Sequence, residues 1–293
     1  MTTHSVNNYV LSVLIPTYEY REGLLRILSQ LQKSSLLQKF QVIISDNSSR
    51  PLLSDDEVNF YIANESLNLM YVHRSSNSAR ENWNFLINHP SNNSDYSLLF
   101  HHDEIFESHD AFDRLLVLLE DNNCFRSCYF LDHQLMGSIL SKTYHFNFPL
   151  SLRAAIFSNF PELLLYFNFL GPPSAFVFHR DFLFLYDLNL SFLVDIHMYI
   201  RISRSAFFSF VPIRTFTVPF AATITSSLKS RKFYRLFIRE LLYVANNLSL
   251  SPLSVVLALL FYPFCLFLKY CVLIFVYLSF LLSRFTPFRA SSD

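Results

Sequence analysis

Residues 10–15 form a short apolar run closed by Pro16, and residues 40–44 form a second that ends in Ser45, Asp46 and Asn47. Between them Leu24, Leu25, Ile27, Leu28 and Leu31 recur at helical spacing. The period changes from strand to helix and back, which defines a strand–helix–strand unit with parallel pairing. The alternation continues with a strand over 70–73, a helix over 79–88, a strand over 96–100 and a helical stripe over 112–119. The expected fold class is α/β, an open sheet with flanking helices. Such sheets bind ligands beyond the carboxyl ends of their strands, where Asp46 and Asp103 both fall.

The second half is less regular. A strand is expected over 125–131, a helix over 151–169 broken by Gly171, Pro172 and Pro173, a strand over 174–178 and a helix over 195–205. A basic amphipathic helix over 229–247 leads into an apolar C-terminal helical segment. This divides the chain into a main domain, residues 1–225, and a C-terminal unit, residues 226–293.

Residues 255–282 contain one Lys (Lys269), one Pro (Pro263) and no acid. As one helix they span about 42 Å, more than the ~30 Å of a hydrocarbon core. Pro263 and Lys269 leave a kinked or surface-lying helix as the alternative to a single span, and a buried helix pair of a soluble domain is the plain rival. Lys229, Arg231, Lys232, Arg235 and Arg239 precede the segment and Arg284 and Arg289 follow it, which puts the main domain on the cytoplasmic side. Residues 1–9 are polar and lack an apolar signal core. Cys124, Cys128, Cys265 and Cys271 match no common zinc spacing and read as free thiols. With 23 basic and 23 acidic residues, the overall balance argues against nucleic acid as a partner.

Were the ligand at this edge a diphosphate, its charge would need offsetting, and 3 glycines leave no Gly-rich phosphate loop. A divalent metal, Mg or Mn, is the natural device, held by one or two carboxylates plus phosphate oxygens. Asp103 and Glu104, after a buried strand, suit that task. They equally suit the start of a helix, because Ser108 and Asp110 follow closely. His101 and His102 add a His/carboxylate option, although adjacent residues at a strand end point opposite ways. One of them contacting ribose or phosphate and both being structural remain open. Asp46 reads either as a ligand contact or as a turn former before Asn47 and Ser48.

Several stretches together resemble family 2 glycosyltransferases. LSVLIPT (11–17), with Tyr18 and Glu19, resembles that family's opening strand, and VIISDNSS (42–49) its second strand with the Asp-containing loop. ENWNFLI (81–87) resembles an Asn-Trp-Asn stretch of many bacterial members, and SLLFHHDE (97–104) the acidic metal-binding motif. GPPSAFVFHRD (171–181) resembles the acceptor-side Gly-Pro segment and VDIHMYIR (194–201) the region of the catalytic base. The matches run in the family's order over residues 10–205.

The resemblance implies a GT-A fold, an open mixed sheet with flanking helices, and assigns roles. Pro16, Thr17 and Glu19 would line the nucleotide pocket, Asp46 would accept hydrogen bonds from the base, and Asn82 and His102 would meet ribose or phosphates. Asp103 would hold the metal, and Asp195 would be the catalytic base. Four positions depart from the family pattern: His101 and Glu104 replace acidic-motif aspartates, Ser78 a common glycine, and Val194 an acidic neighbour of the base.

The implied activity is inverting transfer of a sugar from a nucleotide-diphospho-sugar to a hydroxyl. The implied acceptor is a polyprenyl-diphosphate-linked saccharide, at the cytoplasmic face of the inner membrane, in bacterial surface-polysaccharide synthesis such as O-antigen or capsule. The rival is a catalytically inactive glycosyltransferase-like scaffold in a membrane assembly complex. A nucleotidyltransferase would need the Gly-rich stretch that this chain lacks.

Overall fold

A computed structural model describes residues 9–63, 65–74, 78–121, 127–135, 149–165, 168–217 and 231–260. The alternating first half folds as four parallel strands, β1 (Leu11–Thr17), β2 (Phe40–Asp46), β3 (Leu69–His73) and β4 (Tyr96–Leu99). They are linked by α1 (Arg21–Leu31), α2 (Asp55–Ala63) and α3 (Ala79–Ile87). The second half adds β5 (Glu104–Phe106), α4 (His109–Asp121), β6 (Cys128–Leu135), α5 (Leu150–Asn159), β7 (Phe176–His179), α6 (Val194–Ser205), β8 (Phe208–Thr217) and α7 (Arg231–Asn247). The eight strands of the described residues form one mixed sheet in the order β3-β2-β1-β4-β7-β6-β8-β5.

Strand side chains alternate between faces, so β1 feeds two cores. Leu11, Val13 and Ile15 pack with Leu24, Leu28, Phe112 and Leu115 from α1 and α4. Leu14, with Ile43 and Leu99, packs with Leu86, Phe157, Tyr199 and Phe237 from α3, α5, α6 and α7. The abundant phenylalanines concentrate there: the Phe130 ring lies 4.4 Å from Phe176 and 4.9 Å from both Phe157 and Phe210. Phe237, Leu241 and Val244 are fully buried, so α7 packs into the core of the α/β body.

The helix expected over 151–169 ends at Asn159, because Pro161 disfavours helical geometry at Phe160; a 3-10 turn, Pro161–Leu165, follows. The strand expected over 125–131 starts at Cys128, and residues 122–126, including Cys124, lie outside the described residues. No periodic pattern in the sequence marks α2, β5 or β8. In α2 no side chain is buried, so no apolar stripe marks it. β8 contains Pro212, which argues against a strand interior; the ladder accommodates it by skipping from the Leu131–Val211 pair to Asp132–Arg214, a bulge. Among the described residues no helix is long and apolar enough to cross a membrane. Residues 261–293, with Cys265, Cys271 and most of the apolar segment, and Lys229 lie outside them.

Candidate active site

β1, β2 and β4 run parallel, so their carboxyl ends share one edge, and the turn from β4 into β5 carries the acidic motif. The turn is closed at both ends: the Glu104 N–H donates to the His101 carbonyl (3.0 Å), and the His101 N–H to Glu104 Oε2 (2.8 Å). This removes the helix-start reading of Asp103 and Glu104. The next helix begins at His109 and has its own cap, Ser108 Oγ, which accepts the Ala111 N–H at 3.1 Å.

The two histidines part as adjacent strand-end residues should. His101 lies 5.2 Å from the Trp83 ring, whereas His102 lies edge-on to Tyr20 at 5.4 Å and accepts the Tyr18 N–H at Nδ1 (3.4 Å). His102 therefore braces the β1–α1 connection, and His101 turns toward the site.

One ligand atom each from His101, Asp103 and Glu104 fall within 4.8 Å of one another. An ion with ligands about 2.1 Å away holds them within about 4.2 Å of one another, so a small side-chain adjustment would close this set on a single ion. Burial lowers the His101 imidazole to about 4, with Asp103 pulling the other way, so a neutral nitrogen is on offer, and its Nε2 is buried without a partner. Burial and the neighbouring Asp103 raise the Glu104 carboxyl well above its ordinary value. A cation among these groups reverses that cost, so the donor set fits a divalent metal. The resemblance implies Asp103 alone as ligand, with Glu104 and one histidine open as further candidates; the turn brings His101 and Glu104 beside Asp103.

Gly23 sets the distance between this turn and α1. A Cβ there would lie 2.2 Å from the His102 carbonyl oxygen and 2.3 Å from the Tyr20 ring. Gly23→Ala is expected to push the turn outward, costing about 1–3 kcal/mol as overpacking does. A thermal melt checks it; a melting point equal to wild type would show that the close approach is not needed.

The other expected donor-side residues line the same edge. Pro16 and Thr17 are buried at the end of β1, and Thr17 Oγ1 has no partner. Glu19 adopts φ 49°, receives the Ser49 N–H on Oε1 (2.7 Å) and gives its own N–H to Ser48 Oγ (2.7 Å), which clips the β2 loop. Asp46 is fully buried, and its carboxylate accepts the Ser48 N–H (2.9 Å), the Leu52 N–H (2.7 Å) and the Tyr71 hydroxyl. Its visible work is to shape the loop after β2. Asn82 donates to the Ser45 carbonyl (3.0 Å) and leaves a buried Oδ1 unpartnered.

Asp195 opens α6 in the second half. The residue is half-buried, but Oδ1 is out of solvent and without a partner, and burial pushes the carboxyl up to about 7. Beneath it, the Tyr199 hydroxyl donates to the carbonyls of Pro172 (2.7 Å) and Gly171 (3.2 Å), tying α6 to the Gly-Pro-Pro segment. Gly171 has φ +104°, a conformation that favours glycine.

Two residues that the motifs do not point to lie nearby, Tyr186 against Trp83 and Arg74 at the end of β3. Tyr186 packs 4.9 Å from Trp83; its hydroxyl is buried and unpartnered, and burial with the charges of Asp195 and Glu104 raises it well above the usual phenol. Arg74 follows β3, gives its N–H to the Asp46 carbonyl (2.9 Å) and lays its guanidinium 4.1 Å over Phe85. Tyr186 lies in an aromatic-rich stretch where no spacing sets it apart, and Arg74 is one basic residue among many.

Neither a family model nor a curated protein sequence matches the chain. Among solved structures it is similar to S. aureus TarS 1-349 in complex with UDP-GlcNAc, with TM-score 0.59 and 15% identity over 86% of this chain and 71% of that one. It is also similar to the mannosyltransferase PcManGT from Pyrobaculum calidifontis in complex with GDP-Man and Mn2+. There the TM-score is 0.53 and the identity 11%, over 96% of this chain and 82% of that one. These likenesses define the fold as GT-A-like: an eight-stranded open mixed sheet with flanking helices.

Proposed function

We propose that this chain is an inverting glycosyltransferase that moves a sugar from a nucleotide-diphospho-sugar to an acceptor hydroxyl. The observation that carries the reading is a set of buried polar atoms without protein partners: Thr17 Oγ1, Asn82 Oδ1, His101 Nε2, Tyr186 OH and Asp195 Oδ1. Buried polar atoms are almost always satisfied, so exceptions on these candidate site residues suit a polar ligand. The fold shared with proteins solved holding UDP-GlcNAc and GDP-Man supports a nucleotide sugar as that ligand.

In this reading His101, Asp103 and Glu104 hold a divalent ion, Mn or Mg. When bound it offsets charge on the departing diphosphate. Thr17, Glu19, Asp46 and Asn82 shape the nucleotide side, with His102 bracing the turn. Asp195 takes the proton of the acceptor hydroxyl as that oxygen bonds to the anomeric carbon; the bond to the diphosphate oxygen breaks on the opposite face, inverting the centre. A base near neutrality is matched to that task.

The acceptor in this proposal is a polyprenyl-diphosphate-linked saccharide at the cytoplasmic face of the inner membrane, in surface-polysaccharide synthesis such as O-antigen. The composition of residues 255–282 and the basic residues before them support it.

Calorimetry with UDP-GlcNAc and GDP-mannose, with and without Mn2+, tests the reading. Wild type is expected to bind one of them in a metal-dependent way, and Asp103→Ala to weaken Mn2+ binding at least about tenfold. Metal-independent behaviour in both proteins would remove the metal assignment. Absence of nucleotide-sugar binding would favour the scaffold alternative.

A further inference from the structure

A helix leaves its first backbone N–H groups without intrahelical partners, and a nearby side chain normally takes them. At α6 the N-cap is Leu193, which has no capping side chain. The anchoring falls instead just before the helix, on the N–H groups of the cap residue and the two residues that lead into it. Glu240, on α7, accepts the Ser191 N–H on Oε1 (2.7 Å) and the Phe192 and Leu193 N–H groups on Oε2 (2.8 and 2.9 Å). Glu240 is 1% exposed, so these bonds form out of water, where they hold direction well. Asp195 follows two residues later, in the first turn of the helix that this carboxylate fixes.

The segment before α6 is held from three sides. Asn84 of α3 clamps the Tyr186 backbone, giving Nδ2–H to its carbonyl (2.8 Å) and taking its N–H on Oδ1 (2.7 Å). The Tyr243 hydroxyl of α7 donates to Asp187 (2.8 Å). Arg201 of α6 reaches back to the Leu185 carbonyl (3.2 Å). Of these clamps, Glu240 is the one that grips the residues leading directly into Asp195.

We propose that Glu240 is a positioning residue for Asp195: it fixes the start of α6 so that the Asp195 carboxylate meets the acceptor hydroxyl in a reactive geometry. This rests on the transferase reading above. A buried carboxylate is a costly way to fill space, and an apolar side chain would fill it with less desolvation. What an apolar side chain does not do is fix three N–H vectors at the mouth of a helix. Small displacements of a catalytic group cost large factors in rate, which gives the costly residue a purpose.

The test uses the full chain, UDP-GlcNAc and GDP-mannose with Mn2+ as probes, and water as acceptor. Nucleoside diphosphate release gives kcat, and calorimetry gives the donor Kd. Glu240→Ala is expected to lower kcat about 10²-fold with donor Kd changed less than about twofold. Glu240→Gln keeps one acceptor oxygen and turns an N–H toward an N–H, so its kcat falls between the two; it also serves where the alanine variant is poorly folded. A kcat within about twofold of wild type in the glutamine variant, or a parallel loss of kcat and donor affinity in both variants, would overturn the proposal. Absence of turnover in wild type would instead overturn the transferase reading, and this proposal with it.

Discussion

Asp195→Asn is expected to lower turnover by about 10²–10⁴, the range a positioned general base contributes, while donor binding stays unchanged. The substitution keeps size and shape and removes only the ability to take a proton. Asp195 Oδ1 is buried without a partner, so no protein hydrogen bond is broken and the change in rate reads the proton transfer directly. Single-turnover release of nucleoside diphosphate is the measurement. A rate within about tenfold of wild type would take the base role from Asp195.

The pH dependence follows from the same burial. With the carboxyl pushed up to about 7, Asp195 acting as the proposed base would be ionised only above that pH, and kcat should fall about tenfold per unit below it. Stability moves the other way. A carboxyl whose folded value exceeds its unfolded value binds its proton more tightly in the fold. Its favourable contribution is therefore complete below the unfolded value near 3.8 and is lost as pH rises through about 7. The neutral Asn variant escapes that cost, so at pH 8 its melting point should lie above wild type, the sign expected where a site trades stability for function.

The first half of the fold was legible because its signals are local. Alternating periods mark β1, α1, β2 and β4, and residue order alone puts Asp46 and Asp103 at one sheet edge. The site was legible only in part, since what completes it is a matter of contact across the chain. Whether Asp103 caps a helix or faces a ligand depends on β5, three residues long and paired to β8 more than a hundred residues later. Asp46 was legible as a carboxylate at the edge, but not its occupation by Ser48, Leu52 and Tyr71. Glu240 carries no sequence signal, because a buried acid on a basic amphipathic helix looks like one more solvated charge until the N–H groups of 191–193 are seen around it.

Asp132→Ala should destabilise the protein by about 3–5 kcal/mol, a large share of the 5–15 kcal/mol typical of a folded chain. Arg153, on α5, is 1% exposed and pairs with Asp132 on β6; Asp132 also meets Arg214 of β8 at 3.3 Å. Removing the carboxylate strands a buried guanidinium whose Nε already lacks a partner. Arg214 keeps Glu107 at 3.0 Å and, being partly exposed, loses little. Urea denaturation should show a lower midpoint with an unchanged slope. The double variant Asp132→Ala with Arg153→Met should recover most of the loss, because the penalty lies in the unpaired charge. A single-variant cost below about 1 kcal/mol would show the pair to be solvated. The consequence reaches the proposed metal site at His101, Asp103 and Glu104. Asp132 sits at the β6–β8 bulge, and beyond it β8 runs on to pair Thr217 with Glu104. Loosening that ladder releases the strand that holds Glu104 against His101, so the folded fraction of Asp132→Ala should bind Mn2+ more weakly than wild type.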